Sequence, residues 1–111
     1  MAERTLTEVF GANASQTATD LVIKKSDLTS AGLTVLETNT AESLLLAIAL
    51  KAQATLTDAA RDTNIDQSVA ITDGFSPTIT TRNNAIYLRN TISIEVDKEL
   101  TGADVIDPDD Y

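Results

Sequence analysis

Residues 85–96 read AIYLRNTISIEV, and this stretch decides the fold class because apolar and polar side chains alternate along it. A period of two places successive side chains on opposite faces of a β-strand. The stretch therefore predicts a strand with Ile86, Leu88, Ile92, Ile94 and Val96 on one face and Tyr87, Arg89, Thr91, Ser93 and Glu95 on the other. Asn90 interrupts the apolar face, which indicates either a bulge or a polar contact with a partner.

The residues before this strand predict more β structure. Residues 67–72 place Val69 and Ile71 on one face, the sequence GFSP at 74–77 has turn chemistry, and residues 78–81 resume an extended pattern. We therefore predict a hairpin between these two strands. A further short strand is predicted at residues 21–25, and the 17 threonines of the chain also favour strands.

A single helix is predicted over residues 41–53. The sequence NTAE at 39–42 resembles a capping box, with Asn39 as the cap and Glu42 reaching back, and an Ala/Leu-rich run follows. Residues 44–56 also alternate, so a strand is the competing interpretation. We favour the helix because of the cap and the alanines.

Together these elements predict a small α+β domain, an antiparallel β-sheet with one helix over its apolar face and extended termini. Residues 1–111 form one domain, with an extended N-terminal segment at 1–19 and an acidic C-terminal tail at 97–111. Of the apolar residues 15 are alanine, so the core is thin. Because association would stabilise such a chain, we expect a homo-oligomer, with a trimer favoured.

Charge and composition exclude several functional classes. The net charge is −9 and the pI is about 4.2, the wrong sign for holding phosphate backbones, so we expect no nucleic acid partner. The chain has no His, Cys or Trp, which excludes disulfides, imidazole bases and thiolate nucleophiles. The longest apolar run, residues 44–50, is too short to span a bilayer, and the first residues lack the pattern of a secretory signal. We therefore expect synthesis in the cytoplasm and no membrane role.

Two patterns could carry chemistry. Asp62, Asn64 and Asp66, with Asp73 at the twelfth position, overlap the pattern of a calcium loop, but Gln67 stands where the sharp turn needs Gly. Whether this loop binds calcium or is a polar loop leading into a strand stays open at this point. Carboxylates alone can catalyse, but the chain has only four aromatic residues to line a pocket. We expect neither an enzyme nor a cofactor.

Arginines and the acidic tail are the candidate partner contacts. Arg61, Arg82 and Arg89 could pair with carboxylates across a subunit boundary, or could be ordinary solvated charge. The last residues of the chain are strongly acidic and invite such pairing. The candidate contact residues are Arg82, Arg89, Asp107, Asp109, Asp110 and Tyr111.

The order of several short motifs resembles small structural proteins of cyanobacterial tailed phages. These motifs are FGA at 10–12, NTAES at 39–43, IDQS at 65–68, GF at 74–75, TRNN at 81–84 with Tyr87, and IDPDDY at 106–111. The resemblance implies a virion component, namely a capsid cement or decoration protein that binds the major capsid protein. The alternatives are a phage neck or tail adaptor and a soluble module that binds a ligand or a protein.

Overall fold

A computed structural model describes residues 3–99, 106 and 108–111, and it has the α+β composition that the sequence predicts. Helix α1 spans Leu6–Phe10, α2 Ala41–Gln53 and α3 Asp58–Thr63, with 3₁₀ helices at Lys25–Ala31 and Pro108–Asp110. The strands are β1 (Ser15–Gln16), β2 (Leu21–Val22), β3 (Val69–Asp73), β4 (Thr78–Arg82), β5 (Ala85–Arg89) and β6 (Ile92–Val96). The expectation of one helix was too low, since the described residues contain three α-helices.

Strands β3 to β6 form one long hairpin, which corrects the predicted pairing. β3 pairs antiparallel with β6 and β4 with β5, so residues 67–72 and 78–81 are not partners. The chain reverses at Asn83 and Asn84, whose φ angles of 50° and 61° are those of a two-residue type I′ turn. Asparagine tolerates this left-handed region, so the reversal lies here and not at the GFSP sequence.

Helix α2 forms over the predicted residues, and the competing strand interpretation was wrong. Its cap, however, is Thr40, whose hydroxyl accepts a hydrogen bond from the Ser43 amide at 3.2 Å. Asn39 was the predicted cap. Its side chain instead accepts from the Leu36 amide and donates to the Thr34 carbonyl, which folds the preceding loop.

The N-terminal segment is not extended throughout residues 1–19. Thr5 and Glu8 form a capping box at the start of α1, in which each side chain accepts from the other residue's amide. The hydroxyl of Thr55, after α2, donates to the carbonyl of Glu8 and ties α1 to the body of the domain. A helix and the short strand β1 therefore occupy part of the segment that was expected to be extended.

The core lies between α2 and the first 3₁₀ helix. Leu28, Leu33 and Ala47 form its buried cluster, and Leu28 is the one large side chain that is fully buried among the described residues. Ala70 and Ile71 of β3 are also buried. The radius of gyration is 16.4 Å, whereas a compact chain of this length has about 13 Å. Strands β4 and β5, the distal half of the hairpin, contact chiefly each other, so this half projects from the body.

Candidate functional site

The distal half of the hairpin, residues 78–89, is an arm whose two strands pack chiefly against each other. Its register pairs Ile79 with Leu88 and Thr81 with Ile86. These four side chains share one face, because side chains alternate along each strand. Ile79 and Ile86 are each 76% exposed and Leu88 is 65% exposed. The arm therefore presents an apolar face that no described residue covers.

The opposite face of the arm carries its charge. The Arg82 guanidinium lies 4.5 Å from the centre of the Tyr87 ring, a cation–π contact between diagonal cross-strand neighbours. Arg89 pairs across the strands with Thr78 on the same face. Within the described part of the chain neither arginine forms a salt bridge, so both guanidinium groups are available to carboxylates of a partner.

The arm joins the body of the protein through an elbow. Four residues, 74–77, face only two, Asn90 and Thr91, so the pairing register changes by two between the proximal and distal halves of the hairpin. The Gly74 amide donates to the Thr91 carbonyl at 2.7 Å, which holds the two sides together across this interruption of the strand pairing. The interruption that Asn90 makes in the sequence pattern is thus the break between β5 and β6.

A groove of about 650 Å³ opens beside the elbow. Leu46 and Leu50 of α2 form one wall, and Phe75, Pro77 and Ile92 of the hairpin form the other. Phe75 is 91% exposed and Leu46 is 53% exposed. The carboxylate of Asp73 lies at the groove and accepts a hydrogen bond from the Gln53 amide at 3.0 Å. This elbow groove is mainly apolar and is open to a partner.

Arg61, on α3, is the arginine that meets the start of the acidic tail within the chain. Its guanidinium lies 2.7 Å from a Glu95 carboxylate oxygen and 3.6 Å from one of Asp97, with Asp62 at 3.9 Å. The hydrogen bond to Glu95 raises the pKa of Arg61, and the nearby Asp97 adds to the effect. This network fixes α3 against the base of the hairpin.

The predicted contact residues lie in two separate places. Tyr111 lines a cavity of about 170 Å³ with Arg4, Gln67 and Val69, at the base of the hairpin. Arg82 and Arg89 lie on the arm, on the order of 30 Å away at the strand rise of about 3.3 Å per residue. Asp107 lies outside the described residues, and Asp109 and Asp110 belong to the last 3₁₀ helix. Within this chain the two arm arginines and Tyr111 do not meet.

The cavity at the base of the hairpin is lined in part by the buried side-chain amide of Gln67. Gln67 is buried, and its side-chain NH₂ donates to the carbonyls of Thr57 and Val69 at 2.9 and 3.0 Å. These bonds join the start of α3 to β3. Its side-chain oxygen has no partner among the described residues, and neither does the buried Nε of Arg4 in the same cavity. Gln67 therefore stabilises the base of the hairpin rather than the turn of a calcium loop.

The calcium pattern does not assemble into a site. Asp62 lies on α3, the Asn64 side-chain oxygen accepts from the Asp66 amide at 3.1 Å, and Asp73 lies at the far end of β3. Among the described residues no group of three or more acidic side chains is placed to hold a metal ion.

In the part of the chain that the structure describes, no helix has the length and apolarity needed to cross a membrane.

The apolar arm face and the elbow groove are the features that sequence reasoning missed. Ile86 and Leu88 were expected on the same apolar face as Ile92, Ile94 and Val96, with an interruption at Asn90. The available signal was Asn90, which divides that face, together with the Asn83–Asn84 pair, which marks the hairpin tip.

Comparisons with protein-family models, with curated proteins and with solved structures find no match for this chain.

Proposed function

We propose that this protein is a non-enzymatic structural subunit, and specifically a cement protein that stabilises the capsid of a tailed phage by binding the major capsid protein. The observation that carries the proposal is the projecting arm, of which both faces are without a partner among the described residues. An arm two strands wide with an apolar face and a cationic face can be held between two neighbouring molecules. Bridging neighbours is what a cement protein does.

The energetics of the exposed side chains support an assembly role. Full burial of Ile79, Ile86 and Leu88 would contribute about 1.5–3 kcal/mol each. The folded chain does not gain this stabilisation by itself, and Leu28 is the one large side chain that is fully buried among the residues that the structure describes. Contiguous exposed apolar surface of this kind is typical of interaction sites.

The charge distribution supports the same role for the other face. Residues 74–94 contain Arg82 and Arg89 and no acidic residue, within a chain of net charge −9. Two arginines beside a tyrosine are the residue types most enriched at the energetic centres of protein interfaces. We infer that this face binds carboxylate groups of the shell. The resemblance to small structural proteins of cyanobacterial phages supports the choice of a capsid as the assembly.

The first experiment is mass spectrometry of the native particle. A capsid cement protein occupies a symmetric shell, so hundreds of copies per particle are expected. Roughly a dozen copies or fewer would place the chain at the neck or tail instead. Absence from every particle would overturn the proposal in favour of a soluble binding module.

A binding assay tests the arm itself. Shells lacking the protein are mixed with the wild type or with Arg82→Glu, and the bound fraction is measured by sedimentation. We expect Arg82→Glu to weaken binding because it removes the cation–π pair and opposes the carboxylates of the shell. Lys24→Glu is the matched control, since Lys24 is an exposed cation on the body. Equal loss in both variants would show that only net charge matters and would contradict the role of the arm.

A further inference from the structure

The elbow groove and the apolar face of the arm are complementary in chemistry and belong to the same chain. The face presents Ile79, Ile86 and Leu88, and the groove presents Leu46, Leu50 and Phe75. We propose that the arm of one copy docks in the elbow groove of a second copy, which docks its own arm in return. This inference goes beyond the proposed function, because it holds whatever larger assembly the protein joins.

The charges of the arm and of the rest of the chain favour a second copy as the occupant of the elbow groove. The segment at 74–94 carries two positive charges and no negative one, whereas the rest of the chain has six basic residues against all 17 acidic residues, a net charge of −11. A cationic arm is therefore attracted to the body of another copy. Asp73, which lies at the elbow groove, supplies a carboxylate close to the docked arm.

The position of the groove allows the exchange to be reciprocal. It lies at the root of the arm, and a five-residue strand spans about 17 Å, so the arm and the groove of one copy are close enough to share one interface. A two-fold axis between them lets each copy give an arm and receive one. Such a contact is isologous and closed, and it leaves no unused arm.

The area is sufficient only when the exchange is reciprocal. The exposed parts of the arm face and groove together offer on the order of 500 Å² of apolar surface per copy. At an apolar fraction of about 65%, two copies would bury about 1,500 Å² in total, which is a standard interface. A head-to-tail ring uses one arm and one groove at each contact and buries about half as much. The pair is therefore favoured over the trimer expected from the sequence.

Sedimentation equilibrium of the full chain tests the pairing. We expect the wild type to be a dimer of the 11.8 kDa chain and Ile79→Asp to raise the dissociation constant by ~100-fold, since the change affects both arms of the pair. Thr80→Asp is the matched control, because it places the same residue one position along the strand on the opposite face. A wild-type monomer, a wild-type trimer or an equal effect of both variants would overturn the proposal.

Cross-linking tests the same contact without disturbing the apolar side chains of the arm. The chain has no cysteine, so Thr81→Cys and Leu46→Cys can be prepared as separate chains, mixed and treated with a short bismaleimide. We expect a mixed cross-link between tryptic peptides 62–82 and 26–51, and much less with Thr80→Cys in place of Thr81→Cys. Equal yields from Thr80→Cys and Thr81→Cys would overturn the pairing. Neither result depends on shell binding, so failure here is distinct from failure of the cement role.

Discussion

The backbone amide of Gly74 donates to the carbonyl of Thr91 at 2.7 Å, and this bond closes the elbow between the body and the arm. A Cβ at position 74 would lie 2.8 Å from that carbonyl oxygen and 2.9 Å from the Thr91 side chain. Backbone atoms approach each other here as only glycine permits. The close approach of the two chain segments at the elbow therefore requires glycine at position 74.

Gly74→Ala is expected to destabilise the protein by about 1–3 kcal/mol, the usual cost of overpacking a closely packed site. Urea unfolding measures the loss. Adding Thr91→Ala removes the contact with Thr91 Cγ2 but leaves those with Thr91 Cβ and the carbonyl oxygen, so it should not restore stability. Full recovery in the double variant would show that the side chain, and not the backbone, sets the close approach.

A substitution at the tip of the arm is expected to stabilise the hairpin. Asn84 has a φ of 61°, and Asn-Gly is the preferred pair for a type I′ turn, so Asn84→Gly should strengthen β4–β5 pairing. Asn84→Val should weaken the pairing by about 1–2 kcal/mol, since a β-branched residue is strained at positive φ. Amide hydrogen exchange of Ile79 and Leu88 reports both effects. Identical protection in the two variants would contradict the assigned turn.

Leu28 carries a large share of the stability of the body. It is 2% exposed and packs with Leu33 and Ala47, so Leu28→Ala should cost about 2–5 kcal/mol in the free energy of unfolding. Leu45→Ala, on the exposed side of α2, should change it by less than about 0.5 kcal/mol. Thermal and urea unfolding of the two variants give the comparison. A similar loss in both would mean that α2 is covered on its outer side, as it would be in an oligomer of a different kind.

Helix α1 should weaken in acid. Hydrogen bonds from the amide and hydroxyl of Thr5, with help from Arg4, lower the pKa of Glu8 below its usual 4.5. Because the folded-state pKa is lowered, the stabilisation is complete above pH 4.5 and is lost as the pH falls through the folded-state value. An NMR titration of the Glu8 carboxyl and the Thr5 amide measures this transition. Thr5→Ala removes only the hydroxyl and keeps the backbone amide, so it should raise the pKa of Glu8 part of the way towards 4.5, and an unchanged pKa would refute the contribution of the hydroxyl.

The local elements were predictable because short-range chemistry determines them. The Ala/Leu run defines α2, and the alternation around Ile71 and Ile94 defines β3 and β6. The pairing of the strands was not predicted correctly. The sequence GFSP at 74–77 has ordinary turn composition, and the reversal at Asn83 was not recognised as a turn. The burial of the apolar side chains could not be predicted for a related reason. Alternation at Ile86 and Leu88 predicts a two-faced strand, but it does not say whether the apolar face meets the chain's own helix or another molecule.

The candidate contact residues were likewise predictable where they depend on nearby sequence and not where they depend on residues distant in the chain. Arg82 and Arg89 were identifiable as exposed cations near strand ends, and both lie on the arm. Arg61 was weighed as a partner contact and instead pairs with Glu95 and Asp97 of its own chain, which are distant in sequence. The elbow groove could not be predicted, because Leu46 and Phe75 come together only through the placement of α2 beside the hairpin.

The two arginines of the arm also act against aggregation of the free chain. Between them, after the turn, lie residues 85–88, AIYL, an apolar segment of a strand pair with open edges. Such edges invite stacking of identical chains into fibrils. Charges that flank an unavoidable apolar strand act as gatekeepers against that stacking. When two arms align edge to edge, Arg82 and Arg89 bring like charges close together, and this repulsion opposes the stacking.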